Sequence, residues 1–165
     1  MRTTIKTILL IAVLALLAAS CSAGETDEAA AAEKAATTQE AYTQAFLAQD
    51  IDAVMATYSD DVEFINRSMT TRWIGADQMQ EKTMSLFNIT DPDATEVLES
   101  FVSVDGSQGV IHWHWVGENG LGNPIDLVHV QWLEYTDGLI STLTSYWETM
   151  DVQDQLMAGY PSSGS

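Results

Sequence analysis

The second half of the chain contains four consecutive strand-like segments, and this run constrains the fold more than any other feature. The segments are rich in β-branched and aromatic residues and cover residues 95–104, 109–116, 125–135 and 139–147. Asp105-Gly106 and Asp137-Gly138 are typical turn pairs, and a glycine-containing stretch at 118–124 separates the two middle segments. Consecutive strands joined by short turns predict an antiparallel sheet.

Three helical segments precede these strands. Thr37 and Glu40 form a capping box that predicts the start of the first helix. Asp50 has the side chain to start the second helix, and Gly75-Ala76-Asp77 opens the third, with Asp77 as its predicted cap. Helices first and antiparallel strands afterwards are typical of an α+β fold. We therefore predict three N-terminal helices packed on a curved, mostly antiparallel sheet.

Apolar spacing predicts which side of each helix faces the sheet. The inner face of the second helix, at helical spacing, is Ile51, Val54, Met55 and Tyr58. The inner face of the third helix is Met79, Thr83, Leu86 and Phe87. Alternation at Val62–Phe64 predicts a short strand between the two helices, and residues 151–157 are predicted to form a last short helix.

The only cysteine, Cys21, follows an apolar run that covers residues 8–19. Arg2 and Lys6 give the segment a positive start, and the run is shorter than the about 20 residues of a membrane-spanning helix. The small residues that end at Cys21 resemble the lipobox of bacterial lipoproteins. The resemblance implies a signal peptide over residues 1–20, acylation of Cys21, and a membrane-anchored, extracytoplasmic protein.

Composition divides the remaining chain into three parts. Residues 21–37 are mostly alanine, glutamate and small polar types, and we expect a flexible tether behind the acylated cysteine. Residues 38–158 are predicted to form one domain with its own hydrophobic core, and residues 159–165 a disordered tail. If the cell has two membranes, Ser22 after the cysteine favours an outer-membrane or periplasm-facing location.

The chain is strongly acidic, with a formal net charge of -18. Removal of Arg2 and Lys6 with the signal peptide takes the charge from -18 to -20. Such a surface repels phosphate backbones, so no nucleic-acid partner is predicted. Positive charge is scarce, and Arg67 and Arg72 are candidates either to pair with an anionic ligand or to balance the acidic surface.

Several short motifs in order resemble the nuclear transport factor 2-like superfamily, in particular its SnoaL-like members. The motifs are Ala41-Tyr42, residues 50–54, residues 58–61, Trp73-Ile74-Gly75, residues 135–140 and Ser145-Tyr146-Trp147. The resemblance implies a conical half-barrel with an internal pocket for a small molecule. One fold hosts many chemistries, so the resemblance specifies the fold better than the activity.

The opening helices are most similar to the steroid Δ5-3-ketoisomerases of that superfamily. The resemblance makes Tyr42 a hydrogen-bond donor to an enolate oxygen and Tyr58 a pocket residue. The family's proton-shuttling aspartate falls at Asn66, which cannot accept and return a proton near neutral pH. Its protonated aspartate falls at Gln131 or Val130, and a glutamine can still donate a hydrogen bond.

Two further groups carry candidate chemistry. SnoaL-like polyketide cyclases use a strand aspartate with a histidine on a neighbouring strand, which makes Asp126 and His112 a candidate acid-base pair. His112, His114 and His129 lie on two neighbouring strands and either line the pocket, bind a metal or occupy the surface. The resemblance places Trp147 near the substrate cavity, where its ring would cover a flat apolar ligand.

Three functions remain open at this point. The first is a ligand-binding domain that holds a small, largely apolar molecule without assured turnover. The second is an isomerase or cyclase that uses Tyr42 and a polar partner, with Asn66, Asp126 and Gln131 as the catalytic candidates. The third is a homodimeric interaction module. No cofactor or metal is predicted, and the predicted pocket residues are Tyr58, His112, His114, His129 and Trp147.

Overall fold

The protein is described by a computed structural model over residues 26–147 and 154–160. The predicted signal peptide, Cys21 and the last five residues of the predicted tail lie outside these ranges. Within the described ranges, no helix combines the length and the hydropathy that crossing a membrane requires.

Helices α1, α2 and α3 precede most of the strands. In the described part of the chain α1 covers residues 26–47, α2 is Ile51–Met55 and α3 is Ala76–Phe87. The prediction that α1 starts at Thr37 is wrong, because Thr37 lies in its interior and its Oγ1 donates to the Glu33 carbonyl at 2.9 Å. The preceding residues are alanine-rich, and alanine has the highest helix propensity, so the helix includes residues 26–37 of the segment assigned to the tether.

The starts of the two later helices differ in how they are capped. Asp50 caps α2 as predicted, since its carboxylate accepts a hydrogen bond from the Ala53 N–H at 3.0 Å. Asp77 does not cap α3; the N-cap is Gly75, which makes no side-chain bond and has φ of 83°. That backbone conformation is open mainly to glycine. The inner face predicted for α3 is confirmed at Met79, which is buried.

The six strands are β1 Tyr58–Asn66, β2 Thr71–Ile74, β3 Glu96–Val102, β4 Gln108–Glu118, β5 Pro124–Thr136 and β6 Leu139–Trp147. The four long C-terminal strands confirm the prediction from sequence. Tyr58 was placed on the second helix, but that helix ends at Met55 and Tyr58 begins β1. The edge strand β2 has only four residues and was not predicted.

The strands form one open sheet in the order β2-β1-β6-β5-β4-β3. All neighbouring pairs are antiparallel except β1 with β6, which is parallel. The mostly antiparallel sheet is therefore confirmed. In the long β4–β5 hairpin, Trp113 lies directly opposite His129 and His114 lies opposite Val128. This register decides which side chains share a face of the sheet.

The helices cover one face of the sheet, which we call the inner face and which carries Trp113 and His129. Tyr42 and Phe46 of α1 belong to the main hydrophobic cluster together with Trp113, and the Phe46 and Trp113 ring centroids are 5.6 Å apart. A smaller cluster at one end is formed by Trp115, Ile125 and Leu127. Burial of this apolar surface is the main source of stability.

The last described segment, residues 154–160, packs against the β4–β5 loop. Asn119 of that loop donates from Nδ2 to the carbonyls of Gln155 and Ala158, at 3.1 and 3.0 Å. Residues 154–156 are helical, and the rest of the predicted last helix lies partly outside the described residues. These contacts bring Leu156 to the wall of the cavity described next.

Candidate ligand-binding site

A cavity of about 220 Å³ lies between the helices and the inner face of the sheet. Its wall is mostly aromatic and aliphatic, with a few polar groups, as is typical of small-molecule sites. The lining residues are Tyr42, Phe46, Phe64, Asn66, Met69, Thr71, Trp73, Lys82, Leu86, Ile89, Thr95, Trp113, Trp115, His129, Gln131, Trp147 and Leu156. From here on, "the cavity" is the space lined by these residues.

Gln131 organises one side of the cavity. Its Oε1 accepts a hydrogen bond from Trp113 Nε1 at 2.9 Å and a longer one from the Tyr42 hydroxyl at 3.4 Å. All three residues are buried, so the amide oxygen satisfies two donors that water does not reach. The structure thus brings Tyr42 and Gln131 together on the cavity wall.

Tyr58 and Thr83 extend this hydrogen-bonded group behind the wall. A hydrogen bond joins the hydroxyls of Tyr42 and Tyr58, and another joins Tyr58 to Thr83. Burial raises the pKa of Tyr42 to about 12, and burial also raises the pKa of Tyr58. Both phenols are therefore protonated donors at neutral pH. Tyr58 supports Tyr42 but is not itself among the residues that line the cavity.

His129 lies in a stack of aromatic rings. Its ring centroid is 3.8 Å from that of Trp147, with planes 14° apart, and the Trp113 ring is nearly parallel at 6.4 Å. Burial and the neighbouring His112 lower the pKa of His129 to about 3, so the imidazole is neutral at physiological pH. Its buried Nδ1 has no hydrogen-bond partner among the described residues.

Lys82 is the cationic side chain among the described lining residues, and it is not among the site residues predicted from the sequence. Its Nζ lies 4.8 Å from the centroid of the Trp73 ring and 5.7 Å from that of Phe64, within the range of cation–π contacts. No salt bridge to Lys82 is present in the described part of the chain. Burial lowers the pKa of Lys82 to about 8.

Asn66 ends β1 and lines the cavity, at the position of the family's proton-shuttling aspartate. Its Oδ1 accepts a hydrogen bond from the Met69 N–H at 3.0 Å, so the side chain fixes the turn that leads to β2. Among the described residues that line the cavity there is no aspartate or glutamate. The cavity therefore has hydrogen-bond donors and one amine, but no carboxylate base.

Three predicted site residues lie on the opposite, outer face of the sheet. The alternation along β4 buries Trp113 and Trp115 and turns His112 and His114 away from the cavity. Asp126 is exposed on β5, and its Oδ1 is 2.9 Å from Nε2 of His114, not of His112. The surface contact of Asp126 is thus with His114 and not with the predicted partner His112, and the predicted placement of these three residues in the pocket is wrong.

The three histidines do not share one face of the sheet. His129 belongs to the inner face with Trp113, whereas His112 and His114 belong to the outer face, so the three imidazoles do not converge. Among the described residues, no group of three histidine, cysteine or acidic side chains could hold a metal ion.

Neither arginine considered from the sequence lines the cavity. Arg72 forms a bidentate ion pair with Glu63 on the exposed side of β1 and β2, with a 2.6 Å contact between Nη2 and Oε2. Arg67 is exposed after the end of β1. A usable signal for Lys82 was present in the sequence, because Met79, Lys82 and Leu86 follow helical spacing on one face.

Comparisons with known proteins agree with this fold. The SnoaL-like domain family matches residues 39–143, which is more than half of the chain. No curated protein is similar enough in sequence to match.

Three similar solved structures show the range of proteins built this way. A protein with a ketosteroid isomerase-like fold from Catenulispora acidiphila, in complex with trimethylamine, has 14% identity and a TM-score of 0.61, covering 78% of this chain and 96% of that chain. A proposed polyketide cyclase from Xanthomonas campestris pv. campestris has 20% identity and a TM-score of 0.62, covering 76% and 98%. TerC, co-crystallised with polyporic acid, has 14% identity and a TM-score of 0.63, covering 76% and 99%.

Identities this low establish the shared fold and leave the chemistry to the residues of the cavity. The helices on an open, mostly antiparallel sheet and the match over residues 39–143 lead to one assignment: the chain belongs to the SnoaL-like domain family and has the nuclear transport factor 2-like fold.

Proposed function

We propose that the protein is an extracytoplasmic, lipid-anchored domain that binds a small, flat, largely apolar molecule in the cavity without chemical turnover. The observation that carries this proposal is the cavity itself, about 220 Å³ of space bounded mostly by aromatic and aliphatic side chains. Flat aromatic walls such as Trp113, Trp115 and Trp147 offer large contact area to a planar ligand.

The size of the cavity limits the ligand. Drug-sized sites measure roughly 300–1,000 Å³, so a cavity of about 220 Å³ accommodates one or two fused rings. Displacing water from such a wall favours binding by the hydrophobic effect. Relatives with this fold hold trimethylamine in one case and polyporic acid in another, so the ligand class follows from the side chains of each cavity.

The predicted catalytic candidates support binding better than turnover, and Lys82, with its pKa of about 8, is the one described lining residue that could exchange a proton near neutral pH. A proton-transfer enzyme needs a group that accepts and returns a proton near the operating pH. Asn66 cannot do so, and His129, with its pKa of about 3, stays neutral throughout the physiological range. The carboxylate Asp126 is on the other face of the sheet.

A cavity-filling substitution tests this proposal. Thr71 lines the cavity on the edge strand β2, and its buried Oγ1 has no partner among the described residues, so Thr71→Phe fills space without breaking a described hydrogen bond. We expect Thr71→Phe to weaken the binding of the neutral probe 2-naphthamide by at least about 10-fold, because the added ring occupies the site. The measurement is quenching of the cavity tryptophans during titration.

Thr142→Phe is the matched control, because it adds the same ring to a sheet residue that does not line the cavity. This control should bind 2-naphthamide like the unaltered protein. Equal affinity in all three proteins, or binding in none, would contradict a ligand site in this cavity.

An isomerase or cyclase is the alternative that one observation favours. The buried Tyr42 hydroxyl lies on the cavity wall beside Gln131, where a donor could stabilise a developing oxyanion. If the protein is such an enzyme, Tyr42→Phe lowers kcat for an identified substrate by about 100-fold, as the removal of one oxyanion donor does. Unchanged turnover in a folded Tyr42→Phe variant would remove Tyr42 from the mechanism.

The membrane anchor is a separate part of the proposal and rests on the sequence around Cys21. Acylation of that cysteine would hold the domain at a membrane surface through lipid. The Cys21→Ala variant should appear in the soluble fraction after cell lysis, while the unaltered protein sediments with membranes. Persistent sedimentation of the variant would point to another attachment.

A homodimer is the third alternative, and the outer face of the sheet supports it. Val128 and Tyr146 on neighbouring strands are about half exposed, with Trp132 further along the same face. Exposed apolar side chains that form a patch are typical of protein interfaces. A dimeric solution mass that falls to the monomer mass on Val128→Lys would support this interface, whereas a strictly monomeric mass would exclude it.

A further inference from the structure

We propose that the ligand of the cavity is a planar aromatic acid and that its carboxylate pairs with Nζ of Lys82. This inference rests on the proposed ligand-binding function and adds the charge class of the ligand. Three observations support this inference. They are the position of Lys82, the absence of a negatively charged side chain among the described lining residues, and the buried hydrogen-bond donors in the same wall that have no acceptor.

Lys82 is held in the cavity by its place on α3. Met79, three residues before Lys82, and Leu86, four residues after it, lie at helical spacing on the face that packs toward the sheet, and Nζ lies over the ring of Trp73 at 4.8 Å. A lysine on a solvated face would extend its ammonium into water, but this one lies against two aromatic rings at the cavity wall.

The ammonium lacks a counterion in the described structure. No aspartate or glutamate lines the cavity, and no described salt bridge involves Lys82, although the chain contains 24 acidic residues. A charge removed from water without a partner is costly, and aromatic faces compensate only part of that cost. The depressed pKa of Lys82, about 8, reflects this cost. An anionic group on the ligand would supply the missing counterion and so remove this cost.

Two donors in the same wall have no acceptor. Thr71 Oγ1 and Trp147 Nε1 are buried without hydrogen-bond partners among the described residues, and both side chains belong to the cavity lining. Thr71 and Trp73 lie two residues apart on β2 and therefore share a face, so the Thr71 hydroxyl is on the side where Lys82 covers the Trp73 ring. A carboxylate accepts several hydrogen bonds, which suits an ammonium with hydroxyl and indole donors around it.

The net charge of the protein does not oppose this assignment. A formal charge of -18 repels anions at long range, but salt screens exposed charges beyond about 8 Å at physiological ionic strength. Screening is much weaker inside a partly buried site, and Lys82 is the one side chain with a full charge among the described lining residues. The local positive group therefore decides which ligands are retained.

A matched pair of probes separates charge recognition from cavity binding. 2-Naphthoate and 2-naphthamide share the same flat ring system, and only the first is anionic at pH 7. Calorimetric titration of the unaltered protein should give about 10-fold to 100-fold tighter binding of the acid, as expected when a charge-assisted hydrogen bond is made in a partly buried site. Lys82→Met should lose this preference, so that it binds the acid no better than the amide.

Arg67→Met is the control for loss of positive charge, because Arg67 is exposed and does not line the cavity. This variant should keep the full preference for 2-naphthoate. Equal binding of the two probes to the unaltered protein would overturn the role of Lys82 while leaving the ligand-binding function intact. Binding of neither probe would overturn both.

Proton uptake gives a second readout that a purely structural lysine would not produce. A carboxylate beside Lys82 favours the ammonium, so acid binding at pH 8 should take up about half a proton per ligand, given a free pKa of about 8. Titration in buffers with different ionisation enthalpies measures this uptake. Lys82→Arg should retain the preference for the acid without proton uptake, since arginine stays protonated. If the Lys82→Met variant took up as many protons on binding the acid as the Arg67→Met control does, the assignment would be overturned.

Discussion

His114 and His129 lie on paired strands of the same hairpin, yet the structure places them in opposite chemical environments. His129 is on the inner face, stacked on Trp147, and burial lowers its pKa to about 3. His114 is on the outer face, where hydrogen bonding to Asp126 is the main cause that raises its pKa. The first is kept neutral by an apolar surrounding and the second is favoured as a cation by acidic neighbours.

The difference shows that the direction in which a strand residue points controls its chemistry more than its residue type does. Trp113 and His114 are adjacent in the chain, but the pleat of β4 sends one into the cavity and the other to the surface. Among the described residues, the cavity lining contains aromatic rings and no acidic side chain.

Replacement of the polar anchor of the inner face should have the largest effect. Gln131→Leu removes the acceptor of Trp113 Nε1 and of the Tyr42 hydroxyl, leaving buried donors unsatisfied. We expect the free energy of unfolding to fall by about 3 kcal/mol, since each buried donor without an acceptor costs about 1–3 kcal/mol. Chemical denaturation measures the change. Gln80→Leu on the exposed side of α3 is the matched control, with a change within about 0.5 kcal/mol.

Acid sensitivity tests the inner histidine. The pKa of His129 falls from 6.5 in the unfolded chain to about 3 in the fold, so the unfolded state binds more protons between these values. The free energy of unfolding therefore decreases as the pH drops below 6.5. The contribution of His129 to this decrease has a limiting slope of roughly 1.4 kcal/mol per pH unit. His129→Phe should unfold less readily than the unaltered protein when both are compared at pH 4.

The same substitution at His112, on the outer face, provides the contrast for that experiment. His112→Phe should retain most of the acid response, because burial is the larger cause of the low pKa of His129 and His112 the smaller one. Thermal unfolding at a series of pH values measures this response. An identical acid response in the His129→Phe and His112→Phe variants would show that burial of the inner imidazole does not control acid stability.

The outer histidine should produce the smallest effect and the opposite sign. A raised pKa in the fold means that His114 stabilises the protein fully below 6.5 and that this contribution is lost as the pH rises through the folded pKa. Asp126→Asn should lower the pKa of His114 in an NMR titration. Stability should change by less than about 1 kcal/mol, because exposed ion pairs contribute little. A pKa unchanged by Asp126→Asn would contradict the 2.9 Å contact.

Much of the fold followed from local patterns in the sequence. Turn pairs such as Asp137-Gly138 fixed where strands end, and Asp50 marked the start of α2 by its capping side chain. The start of α1 could not be found this way. The alanines before Thr37 are compatible both with a tether and with a helix, so they do not mark a boundary between the two. The strand β2 was not predicted, because its four residues at the sheet edge are too few to show a clear alternation of apolar and polar side chains.

The candidate site was less predictable because it depends on pairing between distant strands. Alternation along β4 separates Trp113 from His112 and His114, but it does not say which face is inside. That choice depends on where α1 and α3 pack, which no short window of sequence contains. Lys82 was missed for a related reason. Its spacing with Met79 and Leu86 indicates the inner face of α3, but a lysine on a helix is usually solvated, and the contact with Trp73 is visible only in the structure.

The parallel pairing of β1 with β6 has a consequence for the order of events during synthesis. β1 finds its partner β6 about eighty positions later in the chain, so this contact has a high sequence separation and closes late. While β6 is still on the ribosome, β1 and β2 form only a two-stranded ribbon, which is marginally stable in water. Since β1 supplies Phe64 and Asn66 and β6 supplies Trp147, the wall of the cavity is incomplete in the nascent chain until Trp147 has emerged.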